Sequence, residues 1–380
     1  MSAAPDHRGP TTRTTGTTRT APAPRVAPTE PAVRPRDAYV SLYAGLVQRV
    51  QSEGLLRRRY GYYWTSFSLA IGGFALIWVG VVLLGDSWFQ LVLAALMATA
   101  LAQLGFLGHD AAHRQVFASS RWNEWTARVV SGALVGLSYG WWMSKHNRHH
   151  SGPNQEQRDP DIAPGVIAFT PSAVSGRRGP AAWFARRQGW WFFVLLPLEG
   201  VNLHVQSVRT VLGAAPVRQR AVEATLLAVR FVGYLAAVFL LLPPGKAAAF
   251  VGVQLGVFGV LLGGAFAPNH IGMPIVPAGA RPDFLRRQVL MSRNIRGGAV
   301  VGFFMGGLQH QIEHHLFPSM PRPSLREVRG MVRAYCAEHR IDYTETGLAQ
   351  AYARILRYLN EVGTARPDPF RCPLVTLYRV

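Results

Sequence analysis

GWWMSKHNRHHSGPNQEQRDPDI, residues 140–162, is the stretch on which the reading of this chain turns. His146, His149 and His150 stand at spacing i, i+3, i+4, which puts three imidazoles on one face of a helix. Two clusters elsewhere repeat the theme: His109 and His113 in HDAAH, and Gln311, His314 and His315 in QIEHH. Imidazole gathered in this way points to a metal site. A lone HxxxH pair is often structural, but HxxHH with two further clusters is hard to explain by packing.

Working outward, the next question is where these clusters lie. The 380-residue chain is 49% apolar with a mean hydropathy of +0.11, high for a soluble protein. Its formal charge of +20 fits nucleic acid, an anionic membrane surface or positive-inside topology. Lys145 and Lys246 are the only lysines, so the cations are nearly all arginine. The two cysteines, Cys336 and Cys372, form no CxxC pair and imply a reducing compartment around most of the soluble mass.

Residues 1–40 are rich in Thr, Pro, Ala and Arg and read as a disordered tail without a secretory signal. After Arg57, Arg58 and Arg59 comes an uncharged run over 66–85, long enough to cross about 30 Å of hydrocarbon as a helix. A second run over 88–108 leads straight into His109, so the two form a hairpin. Runs over 225–243 and 247–267, joined by Pro243, Pro244 and Gly245, form another, with Arg230 placed to snorkel to the near surface. Between the hairpins, the shorter runs 129–143 and 190–201 carry the pairs Trp141–Trp142 and Trp190–Trp191. They read equally as interfacial, half-inserted helices or as buried helices of a soluble cap. Ser324–His339 and Thr346–Val362 read as amphipathic helices, and 365–380 as a C-terminal tail.

Arginine is abundant before the first span, in the 109–224 loop and after 268, whereas the two hairpin links hold a single cation, Lys246. The positive-inside rule therefore puts both termini and every histidine cluster at the cytoplasmic face of a cell (inner) membrane. The fold class expected is an all-α integral membrane protein. Four transmembrane helices in two hairpins carry a cytoplasmic helical cap that holds the metal site.

His270, just past the fourth span, joins His109, His113, His146, His149, His150, His314 and His315. With the Gln311 amide they exceed what one octahedral ion can use, so two ions share them. Imidazole ligation suits iron, copper or zinc. Asp110, Asp159, Asp161 and Glu313 stand beside the clusters as acceptors for ring N–H groups. His310 lies off the ligand face, and His204 reads as a hydrogen-bonded core histidine. A metal transporter would place ionisable groups at midspan, but the spans offer mainly Gln103 and Gln254. The positive charge follows membrane topology and no aromatic–basic motif appears, so no nucleic acid partner is expected.

HDAAH at 109–113, KHNRHHSGPN at 145–154 with DPDI at 159–162, NHIGMP at 269–274 and QIEHHLFP at 311–318 resemble, in order and interval, the membrane-bound histidine-box fatty acid desaturases. The resemblance runs from about residue 41 to 364, and the glutamine-first third box is similar to the front-end (delta-5/delta-6-like) branch and its bacterial relatives. It implies two irons, held by the eight histidines above with Gln311 in the ninth ligand's place. It further implies O2 as co-substrate and a long-chain fatty acyl substrate, CoA- or lipid-linked, drawn from or within membrane lipid. No HPGG haem motif of a fused cytochrome b5 occurs, so electrons are expected from a separate donor, a ferredoxin with its reductase or a flavin reductase. Acyl-CoA desaturases place an Asn four residues before the lone histidine; here that position is Phe266, and the nearest Asn is Asn269. Hydroxylation on the same di-iron scaffold is the alternative outcome.

Overall fold

The structure is a computed structural model that describes residues 35–364. The tail at 365–380 and most of the tail expected at 1–40 lie outside the described residues, as does Cys372. Helix α1 (Pro35–Ser52) begins within that N-terminal stretch. α2 (Tyr60–Leu84) and α3 (Gln90–Ala112) make the first hairpin. α4 (Ser120–Val129), α5 (Tyr139–Ser151), α6 (Gly179–Ala185) and α7 (Gln188–Leu212) follow. α8 (Arg220–Leu241) and α9 (Pro244–His270) make the second hairpin. α10 (Phe284–Leu290), α11 (Ala299–Phe304), α12 (Gln311–Leu316), α13 (Arg322–Glu338) and α14 (Leu348–Gly363) complete the cap. Two three-residue strands, β1 (Asn294–Arg296) and β2 (Glu345–Gly347), pair in parallel and tie α14 to the segment before α11.

α2, α3, α8 and α9 are long and apolar enough to cross a membrane. They are the four expected spans, lengthened at the end that carries the histidines. The extra turn on α3 puts His109 on the helix, and α9 runs to His270 itself. At the opposite end Lys246 of one hairpin pairs with Asp86 of the other. Apolar burial gives little drive between helices in lipid, so close packing has to supply it. α7 and α9 achieve this with glycine: a Cβ on Gly200 would lie 2.4 Å from the Leu255 carbonyl, and one on Gly259 2.6 Å from that of Leu196.

Three expectations change. The run 129–143 is not one helix: a π-helical turn over Val130–Val135 ends at Gly136, whose φ of 92° belongs to the left-handed region. Trp142 then stacks on His146 at 4.2 Å, so it faces the histidines and not a membrane interface. Arg230 does not snorkel. α8 starts at Arg220, which leaves Arg230 in mid-helix, buried, with its guanidinium 4.1 Å from the Tyr234 ring. The run 190–201 is not a buried helix of the cap. It lies inside α7, where Trp190, Val194, Leu198, Val201 and Val205 form an exposed apolar stripe opposite the α9 contact.

The cap has its own apolar core, built from Leu46 and Val50 of α1, Leu285 and Val289 of α10, and Val328 and Val332 of α13. Ile312 and Leu316, at i and i+4 on α12, plug into it. That fixes the rotation of a helix too short to be stable alone, and it turns His314 and His315 the other way.

Candidate metal centre

Four elements deliver the rings. α3 supplies His109 and His113, α5 supplies His146, His149 and His150, the end of α9 supplies His270, and α12 supplies His314 and His315. α5 is fixed at its start by Ser138, whose Oγ accepts from the Trp141 N–H at 3.1 Å and donates to Glu223 at 2.5 Å. Glu223 also accepts from the Gly140 N–H at 3.1 Å and faces the buried Arg128 guanidinium at 3.4 Å. A carboxylate in the first turn of the third span thereby anchors the helix of the second histidine cluster.

The imidazoles converge in two groups. Ring nitrogens of His109, His113, His146 and His314 lie within 4.8 Å of one another, and so do those of His149, His270 and His315. His150 sits between the groups, with its Nε2 3.0 Å from His146 Nε2 and its ring stacked 4.2 Å from that of His315. The Gln311 amide lies 3.0 Å from His270 Nε2 and is held on its other side by Asn269, at 3.2 Å. Asn269 thus reaches the site through Gln311, from a position one residue before the lone histidine.

The donor set fits metal. Nε2 atoms of His113 and His146 face each other at 2.7 Å, and those of His149 and His270 at 3.3 Å. Two nitrogens at adjacent positions of one ion, with bonds of about 2.1 Å, stand about 3 Å apart. The Nε2 atoms of His109, His314 and His315 are buried without a hydrogen-bond partner among the described residues. Unsatisfied buried acceptors are costly unless a cation takes them, His109 and His314 in one group and His315 in the other. Burial, with neighbouring imidazoles adding to it, holds His113, His146, His150, His314 and His315 well below the usual histidine range. They stay neutral, the form that binds metal. Burial pulls His149 the same way, but Asp159 and Asp161 outweigh it and raise this ring.

The acceptors expected beside the rings divide. Asp159 accepts from His149 Nδ1 at 2.9 Å and from the Asn154 N–H at 2.7 Å. Asp161 lies 3.4 Å from the same Nδ1 and pairs with Lys145. Asp110 approaches His109 Nδ1 at 3.4 Å and is gripped by Arg322 at 2.7 Å. Glu313 touches no imidazole. Its buried carboxylate accepts from Asn294 at 2.7 Å and Tyr343 at 2.6 Å, and burial raises its pKa to about 6. On a helix turned by Ile312 and Leu316, Glu313 points into the cap, where it fastens α12 to β1. His310 belongs to neither ring group. His204 is the core histidine expected, 3.0 Å from the Val135 carbonyl.

Four further residues act on the rings. Gln288 of α10 accepts from His315 Nδ1 at 2.9 Å and donates to the His150 carbonyl at 2.9 Å. The Met291 carbonyl accepts from His270 Nδ1 at 3.0 Å. Trp142 stacks on His146, and Arg322 braces Asp110. Trp142 stands four residues before His146 on α5, a spacing the sequence does show. Gln288, Met291 and Arg322 share no short motif with the rings they serve, so only the folded chain brings them together.

Fold and site define a helical membrane protein with two adjoining histidine groups at one end of a four-span bundle. The chain belongs to the fatty acid desaturase family, whose profile matches residues 86–347. It is similar to an acyl-lipid (9-3)-desaturase of Physcomitrium patens, 30% identical over 285 residues, 72% of this chain and 54% of the relative. It is also similar to fatty acid desaturase 3 of Bos taurus, 32% identical over 76% of this chain and 65% of the relative. A delta(6)-fatty-acid desaturase fat-3 of Caenorhabditis elegans is 28% identical over 85% of this chain and 75% of the relative. The chain thus spans about half to two thirds of the length of the first two.

Proposed function

We propose that the chain is an O2-dependent fatty acyl desaturase of the front-end branch, acting at a centre of two irons on the cytoplasmic side of a cell membrane. The observation that carries this is the meeting of eight imidazoles in two adjoining groups at the end of the spans where arginine concentrates. His109, His113, His146 and His314 would hold one ion. His149, His270 and His315 would hold the other, with His150 between them and Gln311 beside His270. When bound, the two irons supply activation of O2 and removal of one hydrogen from each of two adjacent methylenes, a step no side chain can perform on an unactivated alkyl chain.

The protein's own part is to position and to exclude water. Asp159, Gln288 and the Met291 carbonyl would accept hydrogen bonds from the Nδ1–H groups of His149, His315 and His270, which leaves each Nε2 lone pair free for metal. The balance is –CH2–CH2– plus O2, two electrons and two protons, giving –CH=CH– and two waters. The electrons come from a separate donor, a ferredoxin with its reductase or a flavin reductase. Expression in a host with saturated lipids, followed by mass spectrometry of the acyl chains, tests the reading. Loss of two mass units is expected. A gain of sixteen as the only change would replace desaturation with hydroxylation, and an active preparation free of iron would remove the metal assignment.

A further inference from the structure

Beside the histidine groups runs a cleft of about 1140 Å³, above the roughly 300–1,000 Å³ of ordinary small-molecule pockets. One wall is α2 from Tyr62 to Ile77 and the other is α3 from Leu96 to Leu107, closed at the histidine end by α11 and the start of α13. The sixteen residues of α2 from Tyr62 to Ile77 make the cleft about 22 Å long, more than the roughly 15 Å of one leaflet's hydrocarbon. Its rim is apolar and exposed: Leu69 is 73%, Leu76 70% and Phe303 48% exposed. Rims of that kind between two spans face lipid, not water. Midway along it Thr99 is spent on the Ala95 carbonyl at 3.0 Å and Gln103 on the Phe303 carbonyl at 2.9 Å, while buried Gln309 Oε1 and His310 Nδ1, toward the histidine end, have no hydrogen-bond partner among the described residues.

Charge appears only at the end nearest the histidines. Arg326 is exposed there, and Arg322 lines the cleft while it grips Asp110. Among the described residues the one carboxylate lining this mouth, Glu327, is engaged by Arg59 at 2.7 Å. The same end reaches Leu107 and His310, two residues before His109 and one before Gln311. We infer that this cleft seats one acyl chain of an intact membrane phospholipid. The chain enters sideways from the bilayer, with its phosphate at Arg326 and the methylenes nearest its ester turned toward the metal centre. The inference rests on the desaturase reading and names the carrier as lipid rather than coenzyme A. A lateral apolar rim admits a chain already in the leaflet, and a single guanidinium beside one committed to Asp110 suits one phosphate.

Gly73 and Gly72 give a matched test. A Cβ at either meets nothing within 4 Å, but only Gly73 lines the cleft. Full-length protein is reconstituted in phosphatidylglycerol vesicles doped with a phospholipid carrying a photoactivatable acyl chain, and labelled peptides are mapped. Labelling is expected on 62–77 and 96–107 and falls at least five-fold in Gly73→Trp, while Gly72→Trp labels as wild type and both keep their bound metal. Arg326→Glu lowers labelling several-fold. In an expressing strain Gly73→Trp loses at least ten-fold of the desaturated phospholipid. Displacement of the label by excess acyl-CoA, or wild-type labelling of Gly73→Trp, overturns the inference and leaves desaturation standing. Lost labelling with unchanged acyl composition makes the cleft an annular lipid site and also overturns it. If wild type desaturates nothing on any carrier, the desaturase reading falls, while the labelling pattern still decides the seat.

Discussion

In the three-histidine group each ring has an oxygen behind it: Asp159 behind His149, the Met291 carbonyl behind His270 and the Gln288 amide behind His315, all at 2.9–3.0 Å. In the four-histidine group the one carboxylate at a ring nitrogen among the described residues is Asp110, at 3.4 Å, and its tighter partner is Arg322. There the rings are braced by one another and by Trp142. The first group is set by directional hydrogen bonds, which fix tautomer as well as tilt. The second is set by packing, which fixes tilt alone. Origin in the chain explains the contrast. All three oxygens come from the segment after α5 and from α10 and its end, which pack behind His149, His270 and His315, whereas Asp110, on α3 itself, is turned to Arg322.

The comparison can be broken most severely at His149, which belongs to the well-fastened group. His149→Ala is expected to abolish turnover and lower bound iron, with membrane insertion unchanged; full activity would remove the second cluster from the ligand set. Asp159→Ala leaves the ring in place but unties it, and should cost about 10–100-fold in metal affinity or activity, read by iron content against chelator concentration. Gln288→Leu tests the same group from α10, and an iron titration should show a loss in the lower part of that range. Asp110→Ala should cost less than Asp159→Ala, because the bond it removes is long. If the two losses match or invert, the contrast between the groups is wrong. The smallest effect is expected at Glu313→Ala, which strands the Asn294 and Tyr343 donors. It should lower stability by about 1–3 kcal/mol for each donor left unsatisfied, without changing iron bound per folded molecule.

Much of this was legible in residue order. Uninterrupted apolar runs have only one way to satisfy their backbone in lipid, so the spans could be placed to within a few residues. The i, i+3, i+4 pattern in HNRHH put His146, His149 and His150 on one face before any neighbour was known. The limits show at Trp142 and Glu313. Tryptophan suits an interface and an aromatic core equally, and although Trp142 and His146 stand at i, i+4 on α5, only the packing of that helix shows which of the two surrounds them. Glu313 sits next to His314 in sequence, yet on a helix neighbours point about 100° apart, and the i, i+4 pair Ile312 and Leu316 decides which way each goes.

By itself, then, the sequence determined that this is a four-span membrane protein with enough imidazole at one end for two metal ions, because hydropathy and helical periodicity are local. Tertiary structure alone decided how the rings divide between two groups and which oxygens stand behind them. It also decided that a lipid-facing cleft ends beside them. Gln288, Arg322 and Glu223 each act across 27, 212 and 85 residues of chain, and no short-range pattern encodes contacts that only packing creates.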